Sequence, residues 1–424
     1  MARFYGLVGG ALSHSWSPFI HSLLGKADYK LFELAEADLE SFLHDPDLGG
    51  VNVTIPYKKT AAACCDVLTE RAGMTGSVNT VVRLADGRLL GDNTDICGLL
   101  YLAERSGICM QGQKVLIIGC GGAAAAAAAA ARLSAAGEMV MLSRGGGPDG
   151  DMSRLADHYD SDIIINATPC GMYPHCGQSP LSRENLANMK KRPAVIDLIY
   201  NPLRSRLLLD AADMGYICSG GLPMLAAQAV AANLVFNGSE PDLLYPQQQT
   251  EDIISRLLRQ QENIVLIGMP GCGKSSIGRE LAGICGRRLV DLDEEIWKAA
   301  GKTPEDIINE QGEEVFRDQE SAQAARWGGE SGLIISCGGG VVIRPENRFY
   351  LQQNARIYWL QRSRGKLATE GRPLSRGDLA ALEEVRYPMY EKFADMAVSN
   401  EGTVTDCAAR IWRDYLESTG NKRA

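Results

Sequence analysis

Two stretches of the chain combine an apolar run of strand length, a glycine turn and a run of good helix formers. The first is KVLIIGCGG followed by nine alanines, at residues 114–131, and the second is NIVLIGMPGCGKSS, at residues 263–276. Such a succession is typical of a strand, a tight turn and a helix. Each stretch therefore predicts the opening of a parallel α/β sheet in which the N-terminus of a helix faces a phosphate group.

Further strand patterns surround these two stretches. Residues 1–100 contain the runs FYGLVG, GGVNVTI and VNTVVRL, and residues 112–215 repeat a strand–helix theme. The alanine tract predicts a helix, because alanine has the highest helix propensity. The class is therefore α/β, and we predict four segments. They are an α/β domain at 1–105, a Rossmann-like domain at 106–238 whose last helices pack back on the first domain, a linker at 239–262, and a third domain at 263–424.

The linker prediction rests on composition. Residues 239–262 begin with a Pro- and Gln-containing stretch and end in a short amphipathic helical pattern, which is typical of a segment between domains. We expect each half of the chain to have its own core. Halves separated near Pro246 should then each be soluble and active, provided that the interface between them is small and polar.

Composition narrows the function classes. The chain of 424 residues is 45% hydrophobic and 22% charged, with 43 Lys and Arg against 52 Asp and Glu and a net charge of −9. This is a globular composition, and the acidic balance argues against a general nucleic-acid binder. The uncharged run at 115–131 is too short and too rich in glycine and alanine to span a bilayer. We expect a cytoplasmic protein without a membrane partner.

The first glycine turn has the spacing of a dinucleotide site. GCGGAA at 119–124 is a GxGxxG variant with alanine at its last position, and it lies between a strand and a helix, where a pyrophosphate is normally bound. The following strand ends in Ser143 and Arg144 rather than in a carboxylate. An arginine there favours NADP over NAD, because it can pair with the 2′-phosphate. The alternative is an ordinary surface arginine.

The second glycine turn satisfies GxxxxGK[ST] without a mismatch, from Gly268 to Ser275. In this motif the backbone amides bind phosphates, Lys274 reaches the β- and γ-phosphate oxygens, and Ser275 binds Mg²⁺. The motif predicts nucleotide triphosphate binding but does not identify the acceptor.

Hydroxyl, amide and charged side chains in both halves fit a small anionic polyol. In the first hundred residues they occur in HSWSP, NVTIPYK, SVNT and GDNTD, and in the second half in VDLDEEI, GEEVFRDQE, GRPLS and RYPMY. Arginines can bind a carboxylate, and glycines such as 338–340 allow close backbone approach. Each residue alone could instead cap a helix or lie in an exposed loop.

The motifs HSWSP, NVTIPYK, GSVNT, GDNTDICG, GCGGA, INATPCGM, VIDLIYNP and GLPMLAAQA resemble those of shikimate dehydrogenase over about residues 3–240. The resemblance implies NADPH-dependent reduction of 3-dehydroshikimate to shikimate. The implied substrate-binding residues are Ser15, Ser17, Thr54, Lys58, Asn79, Asp95, Tyr200 and Gln228. Lys58 and Asp95 are implied to be catalytic, and which of them is the formal acid stays open. The implied NADP-binding residues are Gly119, Gly121, Gly122, Ala123, Ser143, Arg144, Asn166, Thr168 and Gly221.

One departure concerns the cofactor. The dehydrogenases that this half resembles usually have Asn-Arg-Thr where this chain has Ser143-Arg144-Gly145. The arginine is retained and its two flanking donors are not, so the selectivity for NADP over NAD stays open.

The motifs after residue 262 resemble shikimate kinase over about residues 262–415, which implies ATP-dependent phosphorylation of the shikimate 3-hydroxyl. The implied ATP-binding residues are Gly268, Gly271, Cys272, Gly273, Lys274, Ser275, Ser276 and Arg372, the last from a lid that is shorter than in many kinases of this kind. The implied shikimate-binding residues are Asp293, Arg317, Glu320, Gly338, Gly339, Gly340 and Arg386. Asp293 and Lys274 are implied to be catalytic, and Ser275 and Asp291 to hold Mg²⁺.

Both halves thus predict the same metabolite, and we predict a bifunctional enzyme of the shikimate pathway that acts as a monomer or a homodimer. One alternative is a regulatory fusion, in which one half binds ligand without turnover. It would be favoured by the loss of a reactive residue, but Lys58, Asp95, Lys274 and Asp293 are all present. A second alternative is that the dehydrogenase acts on quinate.

Overall fold

The computed structural model describes residues 3–12, 15–239, 246–367 and 379–420. They form three β-sheets with helices packed against them, which confirms the predicted α/β class. Among the described residues, no helix is both long enough and apolar enough to cross a membrane.

The first sheet is mixed, and its antiparallel part decides where the first site lies. The strands are β1 Phe4–Gly9, β2 Lys30–Glu33, β3 Leu48–Val53, β4 Val67–Leu68, β5 Thr80–Arg83 and β6 Leu89–Asp92, in the order β2-β1-β3-β5-β6-β4. The helices are α1 Ser17–Leu23, α2 Leu39–Leu43, α3 Lys58–Ala63, α4 Glu70–Thr75 and α5 Asp95–Arg105. Because β5 runs antiparallel to β3 and β6, its start lies at the same edge as the ends of those two strands.

The second sheet is entirely parallel. Its strands are β7 Lys114–Ile118, β8 Glu138–Leu142, β9 Ile163–Asn166, β10 Ala194–Asp197 and β11 Cys218–Gly220, in the order β11-β10-β9-β7-β8. Its helices are α6 Gly122–Leu133, α7 Arg183–Ala187, α8 Arg206–Asp213 and α9 Leu222–Phe236. The alanine tract forms most of α6, and its residues 126–131 are buried in the core. Helix α9 packs back on α5.

The third sheet is also parallel, in the order β13-β14-β12-β15-β16. The strands are β12 Asn263–Ile267, β13 Leu289–Asp291, β14 Ile334–Ser336, β15 Ala355–Gln361 and β16 Met396–Ser399. The helices are α10 Gln247–Gln261, α11 Lys274–Cys285, α12 Leu292–Ala300, α13 Pro304–Gln311, α14 Glu313–Gly329, α15 Glu346–Gln352, α16 Leu379–Phe393 and α17 Val404–Gly420.

Helices cover both faces of this third sheet, as adjacent residues of β15 demonstrate. The Tyr358 hydroxyl donates to Asp414 of α17 at 2.8 Å, whereas Trp359 stacks on Tyr390 of α16 with ring centroids 5.8 Å apart. Successive side chains of a strand point to opposite faces of the sheet, so α16 and α17 lie on opposite faces.

Helix α10 makes the interface between the halves more apolar than the sequence suggested. Ile253, Ile254 and Leu257 are buried in a cluster with residues of α1, α5 and α9. Glu251 accepts hydrogen bonds from Tyr101 at 2.6 Å and from Arg105 at 2.7 Å. The other end of α10 contacts α17. The expected condition of a small polar interface is therefore not met, because α10 packs on both halves.

A buried carboxylate ends β10. Asp197 accepts hydrogen bonds from Asn166 at 2.9 Å, from the Ile199 amide at 3.1 Å and from the Ser205 hydroxyl. Burial raises the pKa of Asp197 to about 6, against the opposing effect of these hydrogen bonds. The bond to Ser205 closes the base of the segment 198–204, which lies between β10 and α8.

We predict that Asp197→Asn flattens the pH dependence of stability. A carboxyl whose pKa is raised in the folded state binds its proton more tightly there between pH 4 and 6, so the free energy of unfolding falls as pH rises through this window and levels off above it. A rise of about two units corresponds to on the order of 3 kcal/mol. The amide retains the hydrogen bonds, since its oxygen still accepts and its nitrogen can donate to Ser205.

The measurement is urea unfolding at pH 4 and pH 7, followed by circular dichroism. The exposed Asp157→Asn is the control and should follow the wild type. An equal loss of stability with rising pH in Asp197→Asn and the wild type would show that Asp197 is ionised throughout.

Two candidate active sites

The first cleft lies between the first and second sheets and has a volume of about 480 Å³. It brings together every side chain that the sequence predicts for substrate binding in this half: Ser15, Ser17, Thr54, Lys58, Asn79, Asp95, Tyr200 and Gln228. Topology explains the convergence on the first-sheet side. Thr54 follows β3, Asn79 precedes the antiparallel β5 and Asp95 follows β6, so all three lie at one edge of the sheet.

Lys58 and Asp95, the predicted catalytic residues, form an ion pair in this cleft. Lys58 Nζ lies 2.5 Å from Asp95 Oδ2, and the two side chains are 18% and 11% exposed. The Asn79 amide donates to Asp95 Oδ1 at 2.8 Å and to Thr94 Oγ1 at 3.0 Å. One carboxylate oxygen is thus fixed by an amide, while the other faces an ammonium group that can exchange a proton with it.

The glycine turn of the second sheet lies directly against this pair. A Cβ atom placed on Gly122 would lie 3.6 Å from Lys58 Cδ. Gly119 has φ of +128°, and a Cβ there would be 3.0 Å from the Ala167 carbonyl oxygen, so the turn requires glycine. Helix α6 begins at Gly122, which points unpaired amides at the space beside Lys58, where an anion is favoured.

The other residues predicted to hold NADP lie at the carboxyl ends of the same strands. Asn166 ends β9 and accepts from the Thr168 amide and hydroxyl at 3.0 and 2.7 Å. Ser143 and Arg144 follow β8; the Ser143 side chain is buried and its hydroxyl has no partner among the described residues, whereas Arg144 is exposed. Gly221 precedes α9 and, with Ala123, lines the first cleft. These groups fit a dinucleotide that crosses the carboxyl edge of the sheet.

The second cleft opens at the carboxyl edge of the third sheet and has a volume of about 660 Å³. It is lined by most of the residues predicted for this half: Gly271, Gly273, Lys274, Ser275, Ser276, Asp291, Asp293, Arg317, Glu320, Gly338, Gly339, Gly340 and Arg386. Arg372 lies outside the described residues. Gly268 and Cys272 do not line the cleft, and the Cys272 side chain is fully buried in the core.

The phosphate-binding loop has the geometry that its motif requires. Gly271 and Gly273 have φ of +82° and +98°, a region that favours glycine. Lys274 Nζ donates to the carbonyl oxygens of Gly268 at 2.9 Å and Met269 at 3.1 Å, which curls the loop around its ammonium group. The Ser275 hydroxyl donates to Asp291 Oδ2 at 2.7 Å.

An ionic cluster forms the inner wall of the second cleft. Arg317 contacts Glu320 at 2.6 Å, and these side chains are 4% and 1% exposed. A Cβ atom on Gly338 would lie 2.7 Å from Glu320 Oε1 and 3.0 Å from Asp293 Oδ1, so both carboxylates converge on this glycine. Burial raises the pKa of Glu320; the Asp293 charge acts in the same direction and Arg317 opposes both. The carboxylates of this cluster can accept a proton from a substrate hydroxyl, and its arginine can pair with an anion.

The glycine triad allows two elements to approach one another. A Cβ atom on Gly340 would lie 2.1 Å from Arg317 Nη1, and one on Gly339 would lie 3.0 Å from the Pro270 backbone nitrogen. The Gly339 carbonyl accepts from Arg386 at 3.2 Å and from the Tyr390 hydroxyl at 2.5 Å. Side chains at these positions would displace the phosphate loop or the arginine.

Sequence reasoning missed several residues that line the clefts. They include Met172, Tyr173 and Asn201 in the first cleft, and Arg279 and Ser336 in the second. Arg279 lies one helical turn after Ser275, a spacing that places both side chains on one face. Ser336 ends β14, and its hydroxyl is 3.3 Å from that of Ser275. Arg279 could have been inferred from the phosphate motif, whereas Ser336 is brought there by the pairing of β14 with β12.

Comparisons with known proteins support the interpretation of both halves of the chain. The family model described as shikimate dehydrogenase substrate binding domain matches residues 7–81, and the model described as shikimate kinase matches residues 270–416. The chain is similar to the shikimate dehydrogenase (NADP(+)) of Clostridium beijerinckii, with 34% identity over 257 residues that cover 57% of this chain and 94% of that protein.

Two solved structures are also similar. Shikimate dehydrogenase 1 from Peptoclostridium difficile is 34% identical with a TM-score of 0.53, covering 60% of this chain and 97% of that one. Shikimate 5-dehydrogenase from Thermus thermophilus, solved in complex with NADP(H) and shikimate, is 30% identical with a TM-score of 0.52, covering 60% and 99%.

Proposed function

Because the chain belongs to the shikimate dehydrogenase family and continues into a shikimate kinase domain, we propose that it catalyses two consecutive reactions at separate clefts. The first cleft reduces 3-dehydroshikimate to shikimate with NADPH, and the second phosphorylates the shikimate 3-hydroxyl with ATP. The observation that carries this proposal is that each cleft brings its two proposed catalytic residues together beside its own glycine turn.

In the first cleft, Lys58 and Asp95 act as a unit. Reduction of the ketone leaves negative charge on its oxygen, which needs a proton as the hydride arrives from the nicotinamide. The pair can hold and deliver that proton, and the Lys58 ammonium stabilises the developing charge. Asn79 fixes Asp95 through Oδ1, so the oxygen facing Lys58 is the one that exchanges a proton. Ser15, Ser17 and Tyr200 bind the substrate carboxylate.

In the second cleft, Asp293 orients the acceptor hydroxyl and accepts its proton. Lys274 stabilises the charge on the transferred phosphoryl group, whose donor is ATP. Arg317 and Arg386 bind the shikimate carboxylate, and Glu320 holds Arg317 in place. The Ser275 hydroxyl and the Asp291 carboxylate are oxygen donors 2.7 Å apart, a set that suits Mg²⁺ when phosphates and waters complete its shell.

Shikimate itself connects the two activities, and one experiment tests both. Purified protein is incubated with 3-dehydroshikimate, NADPH and ATP, and NADPH oxidation and shikimate 3-phosphate are followed together. A regulatory fusion with an inactive kinase half would oxidise NADPH without forming shikimate 3-phosphate. One with an inactive dehydrogenase half would do neither, and its kinase activity would appear only with added shikimate. Oxidation assays of shikimate and quinate with NADP⁺ test the alternative substrate, since a quinate enzyme would prefer quinate.

The oligomeric state and the location are tested separately. Size-exclusion chromatography distinguishes a monomer from a homodimer, and fractionation of the source cells tests the cytoplasmic location.

Removing the Lys58 ammonium should abolish most of the reduction. We expect Lys58→Ala to lower kcat for 3-dehydroshikimate by about 10²–10⁴-fold, the range for a lost acid–base group. The matched control is Lys59→Ala, whose side chain is exposed and does not line the cleft. Near-normal turnover in Lys58→Ala would place the proton donor elsewhere.

Arg144 should select the cofactor. Only NADPH carries a 2′-phosphate, and a hydrogen bond to a charged group contributes about 1.5–3 kcal/mol. We therefore expect Arg144→Ala to raise KM for NADPH by roughly 10- to 100-fold and to change KM for NADH little. Arg132→Ala, at the exposed far end of α6, is the control. Equal losses with both cofactors would reject this role.

Asp293 should serve the kinase reaction alone. We expect Asp293→Asn to lower phosphorylation of added shikimate by about 10²–10⁴-fold and to leave NADPH oxidation by 3-dehydroshikimate at the wild-type rate. Asp318→Asn, whose side chain is 66% exposed on α14, is the control. Loss of dehydrogenase activity in a folded Asp293→Asn protein would favour the regulatory alternative.

A further inference from the structure

One wall of the first cleft continues directly onto the kinase domain. Tyr200 and Asn201 line the cleft, and Arg204 lies on the same segment, 198–204. The Arg204 backbone amide donates to Gln353 O at 2.9 Å, and its guanidinium donates to Gln352 O at 2.8 Å, to Ala355 O at 2.5 Å and to Glu262 Oε1 at 3.2 Å. The adjacent Leu203 amide donates to Asn354 at 2.8 Å.

Glu262, the carboxylate that pairs with Arg204, makes this attachment specific. Glu262 is 2% exposed, and its second oxygen is buried without a partner among the described residues. A buried carboxylate without its cation is strongly unfavourable. The pairing therefore fixes where Arg204 sits, and with it the end of the segment that carries Tyr200.

A second wall of the cleft is attached to the kinase domain in the same way. Met172 and Tyr173 line the cleft, and the Tyr173 hydroxyl donates to Glu330 Oε1 at 3.3 Å. In the same loop, a Cβ atom on Gly177 would lie 3.5 Å from the Phe349 ring. Glu330 follows α14 and Phe349 belongs to α15, so both contacts are made with kinase elements.

We propose that the kinase domain is a positioning element of the dehydrogenase site, acting through Arg204 and Tyr173 on the two loops that face the Lys58–Asp95 pair. From within the dehydrogenase, the Asp197–Ser205 bond joins the two ends of the segment 198–204, and the kinase contacts the segment at Leu203 and Arg204. This inference rests on the proposed dehydrogenase function. Arg204 and Tyr173 are positioning residues in this scheme, because they act through the loops.

The direction of the effect follows from where the contacts fall on the kinase sheet. Glu262, Asn354 and Ala355 lie at the amino ends of β12 and β15, whereas the second cleft lies at the carboxyl ends. Loosening the interface should therefore change the dehydrogenase kinetics and leave the kinase kinetics unchanged.

The test uses the full chain with the double substitution Arg204→Ala and Glu262→Gln, which removes the side-chain contacts of Arg204 without leaving a buried charge unpaired and keeps the backbone contacts of residues 203 and 204. We expect KM for 3-dehydroshikimate at saturating NADPH to rise by about 10-fold or more, as misplacement of a binding loop predicts, with a smaller change in kcat. Arg348→Ala is the matched control. It removes an ion pair between the domains, with Asp213 at 3.0 Å, which involves no residue of either cleft, and it should change KM less than two-fold.

A second variant guards against misfolding of the first. Glu330 is exposed, so Glu330→Ala should fold normally, and it should raise the same KM several-fold through Tyr173. The kinase kcat measured on each preparation reports the fraction of folded chain. A merely structural role would lower kcat in both reactions and leave the KM values alone.

An unchanged KM for 3-dehydroshikimate in both the double variant and Glu330→Ala, or an equal rise in Arg348→Ala, would overturn the proposal. Failure of the proposed function would appear differently, as a wild-type protein that does not oxidise NADPH with 3-dehydroshikimate.

Discussion

The polarity of parallel strands determines where chemistry can take place in this molecule. All strands of such a sheet end at one edge, and the helices that follow them direct unpaired amides at that edge. The glycine turns after β7 and β12 lie there, and both clefts open beside them. The mixed first sheet extends the same principle, because its antiparallel β5 brings Asn79 to the edge at which Thr54 and Asp95 emerge.

Among the described residues, those at the amino edge of the third sheet do not line the kinase cleft, and the dehydrogenase half is attached to this edge. The amino ends of β12 and β15 receive Leu203 and Arg204, and α10 packs on both halves. Buried aliphatic side chains supply the apolar part of this contact and the Arg204–Glu262 pair fixes its register. The residues that fix this register, Leu203, Arg204 and Glu262, lie outside both sets of motifs.

Local motifs made much of this structure predictable. The glycine turns, the alanine helix and the reactive side chains all lie in short segments whose spacing carries the information, so their positions followed from the sequence. The contacts between halves did not. Arg204 and Glu262 are 58 residues apart and Tyr173 and Glu330 are 157 apart, and no local pattern distinguishes them from surface residues. Helix α10 was predicted from its amphipathic pattern, but a pattern does not reveal that a helix packs on two partners.

The attachment at the amino edge has a consequence for the metabolite that the two reactions share. Strand β12 has five residues and so spans about 16 Å, and the kinase cleft opens beyond its far end. Because the contacts with the dehydrogenase half lie at the amino ends of β12 and β15 and the kinase cleft lies at their carboxyl ends, we expect shikimate to pass from the first cleft to the second through solvent. It enters the common pool on the way, where any other consumer can intercept it. On this expectation, the fusion provides the two catalytic domains in a one-to-one ratio rather than a channel between their clefts.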